Sequence, residues 1–574
     1  MIDLSSRKNQ MFPVLSVQQI ETAKQFALGE PKSFRPGETV SRIGESNVPA
    51  WLVLSGTMEI DRHDGLASET TIVTHEVGHI SGEVSQLSGR PGLAGARAGP
   101  DGCVAVAFDA LHLKTLVIGS AEIGEIIMRA FILRRVALID SGGAGSILIG
   151  VPGSRSLVRL QEFLTRSGYP YLVLDAASSA EGLALIERLG ISSTELPLMV
   201  CPNGTVLKSP SDAEAAVCLG ITPVLDPNLI YDVAIVGAGP SGLAAAVYAA
   251  SEGLSVIVLD QRAVGGQAGA SSRIENYLGF PTGISGQALA GRALNQALKF
   301  GAEIALPLQV QTLVEPAAGA LGGSLMLRLD NGSEVVARTV VVATGARYRR
   351  PDIPAITDLE GSGVSYWASA IEAKICENDD VVLVGGGNSA GQAIAYLASR
   401  VRTLHLVIRR DLSETMSSYL IDRIAAFSNV VVHLGCQVTA LTEDALSGRV
   451  TATVTDTKAN VSTDIDARKV FMFIGADPNT DWVADLIETD SKGFITTGTD
   501  LTNEFRRVDR PPFPLETSMP NVFAIGDVRS GSTKRVAAAV GEGAGVVSQI
   551  HSALKTTVIG PASAPSVAVQ LSVK

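Results

Sequence analysis

Two glycine-rich turns in this sequence have the spacing that holds a dinucleotide pyrophosphate. The first, Gly237-Ala-Gly239-Pro-Ser-Gly242, follows an apolar run and precedes an alanine-rich stretch, and a second apolar run then ends at Asp260. In such a unit the first glycine permits a tight turn, the second lets backbone approach the pyrophosphate, and the third lets helix pack on strand. The helix N-terminus presents free N–H groups to the phosphates, and the terminal acid accepts hydrogen bonds from an adenosine ribose. We therefore predict a dinucleotide site here.

The second turn follows a predicted strand at 381–384 and is itself followed by a helix and a further strand. Arg409 and Arg410 then stand where the first unit has its acid. A guanidinium pairs with a 2′-phosphate, whereas a carboxylate repels it, so this site is predicted to prefer NADPH over NADH. The residues of the turn expected at the cofactor are Gly385, Gly387, Asn388, Ser389 and Ala390.

Two dinucleotide sites in one chain indicate a flavoprotein reductase, and from about 230 to 555 the chain resembles a low-molecular-weight thioredoxin reductase. The matching pieces are Gly-Gly-Gln at 265–267, "IENYLGFP", "VVVATGA" at 340–346 and "NVFAIGDVRSGSTKRVAAAVGEGA" at 521–544. The resemblance implies bound FAD, with Asp527 holding the ribityl chain, and a nicotinamide domain inserted between two halves of the FAD domain. Beside the first glycine turn and Asp260, the residues it implies at FAD are Gln261, Gly265, Gly266, Gln267, Asn276, Gly526, Asp527, Arg535, Val536 and Ala537.

The redox-active Cys-x-x-Cys of that family is missing. Its two positions, in "GVSYWASAIEA", hold Trp367 and Ala370, and neither side chain can exchange thiol for disulfide. Cys376 is single, and we interpret it as an ordinary semi-buried cysteine. Glu372 is either a proton donor or, as we expect, a helix-surface carboxylate. Trp367 and Tyr366 are expected to pack at the domain interface.

Residues 143–226 follow the order strand, helix, strand, helix, hairpin, which resembles a thioredoxin or glutaredoxin fold. Pro197 falls where that fold has its cis-proline. Ser154, Arg155 and Ser156 occupy the turn where its cysteines would lie, so a second dithiol centre is missing as well. Cys201 and Cys218 lie elsewhere in the domain and are interpreted as structural; the cysteine spacing predicts no disulfide scaffold.

Residues 30–115 contain short alternating runs separated by glycine turns, which predict a β-barrel of jelly-roll type within the domain at 1–140. Their order resembles a cyclic-nucleotide-binding domain, with Gly82-Glu83 at the start of the phosphate cassette. The arginine that clamps the cyclic phosphate in that family would fall at Gly92, with Arg90 and Arg97 nearby. We therefore predict no tight binding of cAMP or cGMP, and a docking or dimerisation role instead.

Composition restricts the remaining possibilities. The 574 residues carry a net charge of −12, which argues against nucleic acid or an anionic membrane as main partner. The seven histidines show no metal-ligand spacing, no run reads as a secretory signal or membrane span, and a cytoplasmic homodimer is expected.

These inferences combine into a multidomain α/β protein with an N-terminal barrel and two Rossmann-like domains, the second inserted in the first. The predicted domains are cyclic-nucleotide-like at 1–140, thioredoxin-like at 143–226, FAD-binding at 228–349 and 471–560, NADPH-binding at 350–470, and a tail at 561–574. The main hypothesis is hydride transfer from NADPH to FAD and on to a quinone, ferredoxin, oxygen or a thiol protein. The alternatives are a thioredoxin-disulfide reductase using an unplaced or partner cysteine, and a flavin redox sensor with little turnover.

Overall fold

The computed structural model describes residues 7–64, 68–141, 145–271, 273–314, 324–354, 356–444, 447–502 and 510–556. The predicted tail at 561–574 lies outside these residues. None of the helices in the described ranges combines the length and the hydropathy needed to cross a membrane.

The N-terminal region is an antiparallel five-stranded sheet with helices packed on it. Its strand order is β1-β5-β3-β4, and β2 also pairs with β5. The predicted jelly-roll barrel is not shown, because over the described residues the two edges of this sheet do not pair with each other. The elements are α1 (Lys8–Met11), α2 (Val17–Lys24), β1 (Lys32–Phe34), β2 (Thr39–Ser41), β3 (Ala50–Asp64), β4 (Ser68–His75), β5 (Gly95–Phe108), α3 (Ala110–Gly119) and α4 (Ala121–Ser141).

The middle region has the predicted order of strands and helices, including the terminal hairpin. Its sheet has the order β7-β6-β8-β9, and the Leu196–Pro197 peptide bond is cis, as predicted. Cys201 and Cys218 form a disulfide, which their spacing did not predict because the pair is brought together by the packing of a helix on a strand end. The elements are β6 (Ser146–Gly150), α5 (Arg155–Arg166), β7 (Tyr171–Asp175), α6 (Ala180–Leu189), β8 (Leu198–Val200), β9 (Val206–Lys208) and α7 (Asp212–Cys218).

The first dinucleotide region begins with two apolar strands that are buried on both faces, as expected for parallel strands under helices. The helix between them starts with Pro240, whose fixed φ suits a first helical position. Its elements are β10 (Ile230–Val236), α8 (Pro240–Ser251), β11 (Val256–Leu259), α9 (Gly266–Gly269), α10 (Gly286–Phe300), β12 (Glu303–Ala305), β13 (Val310–Val314), β14 (Leu325–Leu329), β15 (Glu334–Val342) and β16 (Ala346–Tyr348).

The second dinucleotide region follows in the chain. It consists of a parallel sheet of order β17-β24-β18-β19-β20 and a separate antiparallel sheet, β21-β22-β23. Its elements are α11 (Ile356–Leu359), β17 (Val364–Ser365), α12 (Ala370–Ile375), β18 (Asp380–Val384), α13 (Asn388–Leu397), β19 (Thr403–Ile408), α14 (Ser418–Ala425), β20 (Val430–Leu434), β21 (Cys436–Asp444), β22 (Arg449–Asp456), β23 (Ser462–Ala467) and β24 (Lys469–Met472).

The chain then returns to the first dinucleotide region through β25 (Ala476–Pro478), β26 (Val522–Ala524) and α15 (Val536–Thr556). Six strands of the large sheet have the order β12-β11-β10-β15-β14-β13. Strand β26, the seventh, lies off this path and pairs in parallel with β15. Strand β25 pairs with β16, so two short strands connect the regions. The second Rossmann-like sheet is thus inserted in the first, as predicted.

The N-terminal and middle regions cover the edge strand of this large sheet. Arg90 donates from Nη2 to the carbonyl oxygen of Ile304 in β12 at 3.2 Å. Thr222 donates from its hydroxyl to the carbonyl oxygen of Leu306, just after the same strand. These bonds satisfy backbone acceptors that no neighbouring strand reaches.

Candidate functional site

A cavity of about 640 Å³ lies where β10 and β11 end, at the carboxyl edge of the large sheet. Ligands of open α/β sheets bind at this edge. The start of α8 lines one side of the cavity, and the start of α13, from the inserted region, lines another. The two predicted dinucleotide sites therefore open into one space.

The first glycine turn leaves room for a ligand at one position only. A Cβ on Gly237 would lie 2.2 Å from the carbonyl oxygen of Ala343, and one on Gly242 would lie 1.9 Å from the carbonyl oxygen of Gly237. A Cβ on Gly239 would meet only Gly266 Cα, at 4.0 Å, and would point into open space at the cavity. No side chain caps α8, so its first N–H groups remain available to phosphate.

Asp260 lies at the cavity wall and holds the turn together. Its Oδ2 accepts a hydrogen bond from the backbone N–H of Ala238 at 2.8 Å, and its Oδ1 accepts one from the N–H of Arg262 at 2.8 Å. An acid in this place fits the end of the second strand of a dinucleotide-binding unit.

Most of the other residues expected at FAD also surround the cavity, although they come from four separate segments. Gly265, Gly526 and Ala537 do not line it; Gly265 instead begins α9 with φ +98°, and the Gly526 N–H donates to Glu542 at 2.6 Å. The expected residues that line the cavity are Gln261, Gly266, Gln267, Asn276, Asp527, Arg535 and Val536.

The second glycine turn repeats the geometry of the first. A Cβ on Gly385 would lie 2.3 Å from the carbonyl oxygen of Phe473, whereas one on Gly387 would meet nothing within 4 Å. Asn388 and Ser389 line the shared cavity, but Gly385, Gly387 and Ala390 do not.

Arg409 and Arg410 follow β19 and are exposed, outside the cavity. The nearest charge to Arg410 is Glu414, at 3.7 Å. Both arginines thus follow the second strand of the unit, the place expected for a 2′-phosphate on the adenosine ribose, and they lie outside the shared cavity.

Trp367, at the first missing cysteine position, lines the cavity and connects two regions. Its indole Nε1 donates to Glu162 of α5 at 3.2 Å, and the guanidinium of Arg262 lies 6.0 Å from its ring centroid. Ala370 begins α12, and its side chain lies outside the described part of the structure. Tyr366 is buried, and its hydroxyl donates to Glu360 at 2.8 Å, in keeping with the predicted packing role.

None of the five cysteines, all of them within the described ranges, lines the cavity. Cys376 is fully buried, and burial raises the pKa of its thiol to about 11. A thiol with such a pKa is almost entirely protonated at neutral pH and is therefore a poor nucleophile.

The prediction of Glu372 as a surface carboxylate is wrong. Its side chain is only 2% exposed and accepts hydrogen bonds from the backbone N–H of Ser369, at 2.9 Å, and from the Ser369 hydroxyl. The residue stands in the first turn of α12 on the side that meets Glu162 of the middle region. Burial, together with the neighbouring Glu372 carboxylate, raises the pKa of Glu162 to about 7.

Four cationic residues that line the cavity escaped the sequence analysis: Arg166, Arg262, Arg347 and Lys534. Arg166, the last residue of α5, lines the cavity and donates from Nη2 to the carbonyl oxygen of Gly266 at 2.8 Å. No local pattern marks it, because its contact lies 100 residues further along the chain. Lys534 also lines the cavity and donates to the carbonyl oxygen of Asp527, and its place beside Arg535 could have drawn attention to it.

The buried carboxyl of Glu162 leads to a prediction about stability and pH. Because its folded-state pKa of about 7 exceeds the ordinary value of 4.5, the folded protein retains a proton that the unfolded chain has released between these pH values. Stability should therefore fall as pH rises through this window. Replacing Glu162 with Gln should flatten that fall by about 2–4 °C in Tm between pH 5 and pH 8.

Thermal unfolding followed across that pH range would measure the effect. Glu187→Gln is the matched control, since Glu187 is exposed on α6 of the same region. Parallel Tm profiles for wild type and Glu162→Gln would show that Glu162 does not titrate in this window.

The fold and the cavity define a class: a flavoprotein with one dinucleotide-binding domain inserted in another. Residues 231–543 match the pyridine nucleotide-disulphide oxidoreductase family, and the chain belongs to that family. It is an FAD-dependent pyridine nucleotide-disulfide oxidoreductase whose cofactors are FAD and NADPH. The open space at Gly239 and the uncapped start of α8 fit the pyrophosphate of such a cofactor.

Relatives and solved structures match the same part of the chain. The thioredoxin reductase of Mycoplasma genitalium is 31% identical over 327 residues, covering 56% of this chain and 95% of that protein. The thioredoxin reductase of Bacillus subtilis is 31% identical over 315 residues, covering 55% and 92%. The crystal structures of thioredoxin reductase from Lactococcus lactis and T. acidophilum each match with a TM-score of 0.50, at 25% and 27% identity, over 57% of this chain and 99% of theirs.

Proposed function

We propose that this protein transfers a hydride from NADPH to FAD and passes the electrons to an acceptor without a dithiol of its own beside the flavin. One observation carries the proposal: the starts of α8 and α13 face one cavity, and none of the five cysteines lines it. Bound FAD supplies two-electron chemistry, while the protein supplies orientation and electrostatics.

The residues around the cavity divide this work. The N–H groups at the starts of α8 and α13 bind the two pyrophosphates, and Asp527 holds the ribityl chain of FAD. Arg166 and Lys534 add positive charge to the cavity wall. Glu162, which accepts a hydrogen bond from the Trp367 indole, keeps a proton on its carboxyl up to near-neutral pH.

The preference for NADPH follows from Arg409 and Arg410. Hydrogen bonds to charged groups contribute about 1.5–3 kcal/mol each, so replacing both arginines with Ala should lower the NADPH-to-NADH ratio of kcat/KM about tenfold or more. Stopped-flow reduction of the bound flavin at subsaturating levels of each cofactor measures this ratio. Arg400→Ala is the matched control, because Arg400 is an exposed arginine of the same inserted region, between α13 and β19. Equal wild-type rates with NADPH and NADH would contradict the assignment.

A screen of electron acceptors tests where the electrons of the reduced flavin go. The relatives named above make a thiol protein one acceptor to test, and quinones, ferredoxin and oxygen are the others. Steady NADPH oxidation in the presence of one of them, with full flavin reduction in the absence of all of them, supports an oxidoreductase. Flavin that NADPH reduces but no acceptor reoxidises would instead indicate a redox sensor. We also propose a homodimer, whose mass can be measured by light scattering in the same preparation.

A further inference from the structure

The N-terminal region contains a second cavity, remote from the flavin site. Its volume is about 300 Å³, and it lies between β3, β4, the 81–96 segment and α4, with Met11 and Phe12 on one side. This volume is at the lower end of the range for small-molecule sites, which are mostly apolar with a few polar groups. The wall is largely apolar and includes Val48, Ile60, Ile72, Val73, Leu93 and Leu138.

Arg134, from α4, is the deeply buried cation of this cavity, and Arg62, from β3, also lines it. The Arg134 side chain is deeply buried at 7% exposure, its Nε donates to the carbonyl oxygen of Met11 at 2.9 Å, and its Nη1 donates to that of Gly82 at 2.7 Å. Its Nη2 is buried and finds no acceptor among the described residues. The guanidinium also lies 5.2 Å from the ring centroid of Phe12. Burial lowers the pKa of Arg134 only to about 9, so the group remains charged at neutral pH.

The carboxylate that stabilises this charge, Glu83, is shared with a second arginine, and the other titratable neighbour is neutral. His75 is 1% exposed, and burial lowers the pKa of its imidazole to about 2, so it is neutral. Glu83 also lines the cavity: its Oε2 pairs with Arg135 at 3.2 Å, whereas its Oε1 is buried and has no hydrogen-bond partner among the described residues. A buried guanidinium N–H without an acceptor costs free energy that an anionic ligand would recover.

A cyclic nucleotide does not suit these groups. The arginine expected on the cyclic phosphate would fall at Gly92, and Arg90, the nearest substitute, donates to Ile304 of the large sheet instead. The polar end of the cavity thus offers the buried Nη2 of Arg134, with Arg62 also on the wall, and most of the remaining lining is apolar.

The geometry points to a binding site for a small apolar carboxylate, with the Arg134 guanidinium on the carboxylate and the hydrocarbon part among Ile60, Val73 and Leu93. Nothing in the proposed hydride transfer requires this site. Both an aliphatic and an aromatic carboxylate combine an anionic group with an apolar body, so one probe of each kind is used.

Titration calorimetry of the full-length flavoprotein with decanoate and with 4-phenylbutyrate tests the proposal. We expect at least one of them to bind with a Kd below about 1 mM, and decanol, which lacks the charge, to bind at least about tenfold more weakly. Arg134→Gln should abolish the preference for carboxylate over alcohol. Because that change could disturb folding, Ala94→Leu provides a second test: it fills the cavity from its wall and should abolish binding while Arg134 is intact.

Ala121→Leu, at an exposed position at the start of α4, is the matched control and should bind as wild type does. FAD content and the rate of flavin reduction by NADPH report the integrity of each variant independently of the cavity. The proposal is overturned if neither carboxylate binds below that limit, if decanol binds as tightly as decanoate, or if Ala94→Leu leaves binding unchanged. Tighter binding of cAMP or cGMP than of either carboxylate would overturn it too.

Discussion

A Gly239→Val variant should fold normally and purify without its yellow cofactor. The backbone at Gly239 has φ −74°, which any residue can adopt, and a Cβ there would clash with no protein atom. The added methyl groups would instead occupy the space through which the pyrophosphate approaches the turn. We expect FAD affinity to fall at least about 100-fold, or about 2.8 kcal/mol. The ratio of flavin absorbance to protein absorbance after dialysis measures the loss.

Two further variants make the result specific. Gly291→Val places the same side chain in α10, where a Cβ also meets nothing within 4 Å, and should keep its FAD. Gly387→Val should keep FAD but lose flavin reduction by NADPH, since it obstructs only the second turn. Full FAD occupancy in Gly239→Val would show that the first turn does not hold the pyrophosphate.

The second large effect is an absence of disulfide reduction. With NADPH present, the protein alone should reduce thioredoxin or a small aromatic disulfide at least about 100-fold more slowly than NADPH reduces its flavin. Trp367 lines the flavin cavity where a thiolate is needed. The Cys376 thiol, with a pKa of about 11, is ionised to about one part in ten thousand at pH 7. Colour development from the aromatic disulfide and stopped-flow flavin reduction give the two rates.

Cysteine variants identify any redox centre that this prediction overlooks. Cys376→Ser, and a double change of Cys201 and Cys218 to Ser, should leave both rates as in wild type. Fast disulfide reduction that either variant abolishes would place the missing dithiol chemistry at that cysteine and reverse our conclusion about the electron route.

The dinucleotide turns could be predicted because their requirements are local. Gly237 and Gly385 each adopt a positive φ that the turn itself requires, and such a demand leaves a fixed glycine spacing in the sequence. Asp260 and the apolar strands before it belong to the same short unit. The insertion of the second sheet in the first likewise follows from where the second unit stands in the chain, between the matching pieces at 340–346 and 521–544.

The rest of the site depends on contacts between segments that are distant in the chain, and such contacts produce no recognisable residue spacing in the sequence. Arg166 reaches the cavity from the end of α5, and the raised pKa of Glu162 depends in part on Glu372 of α12. Glu372 illustrates the error this causes, since a glutamate in the first turn of a short helix is normally solvated. The open edges of the N-terminal sheet depend in the same way on which strands finally pair.

The bonds from Arg90 and Thr222 to the carbonyl groups at β12 have a practical consequence for anyone who wishes to study the reductase half alone. A chain shortened to begin near residue 228 would retain both glycine turns but lose Arg166 from the cavity wall and the two side chains that cover the outer strand of its sheet. An uncovered strand edge is a template for pairing with another molecule. Such a fragment would be expected to associate edge to edge and to precipitate at concentrations that the intact protein tolerates. In the intact protein, the preceding regions prevent this association by covering the strand edge.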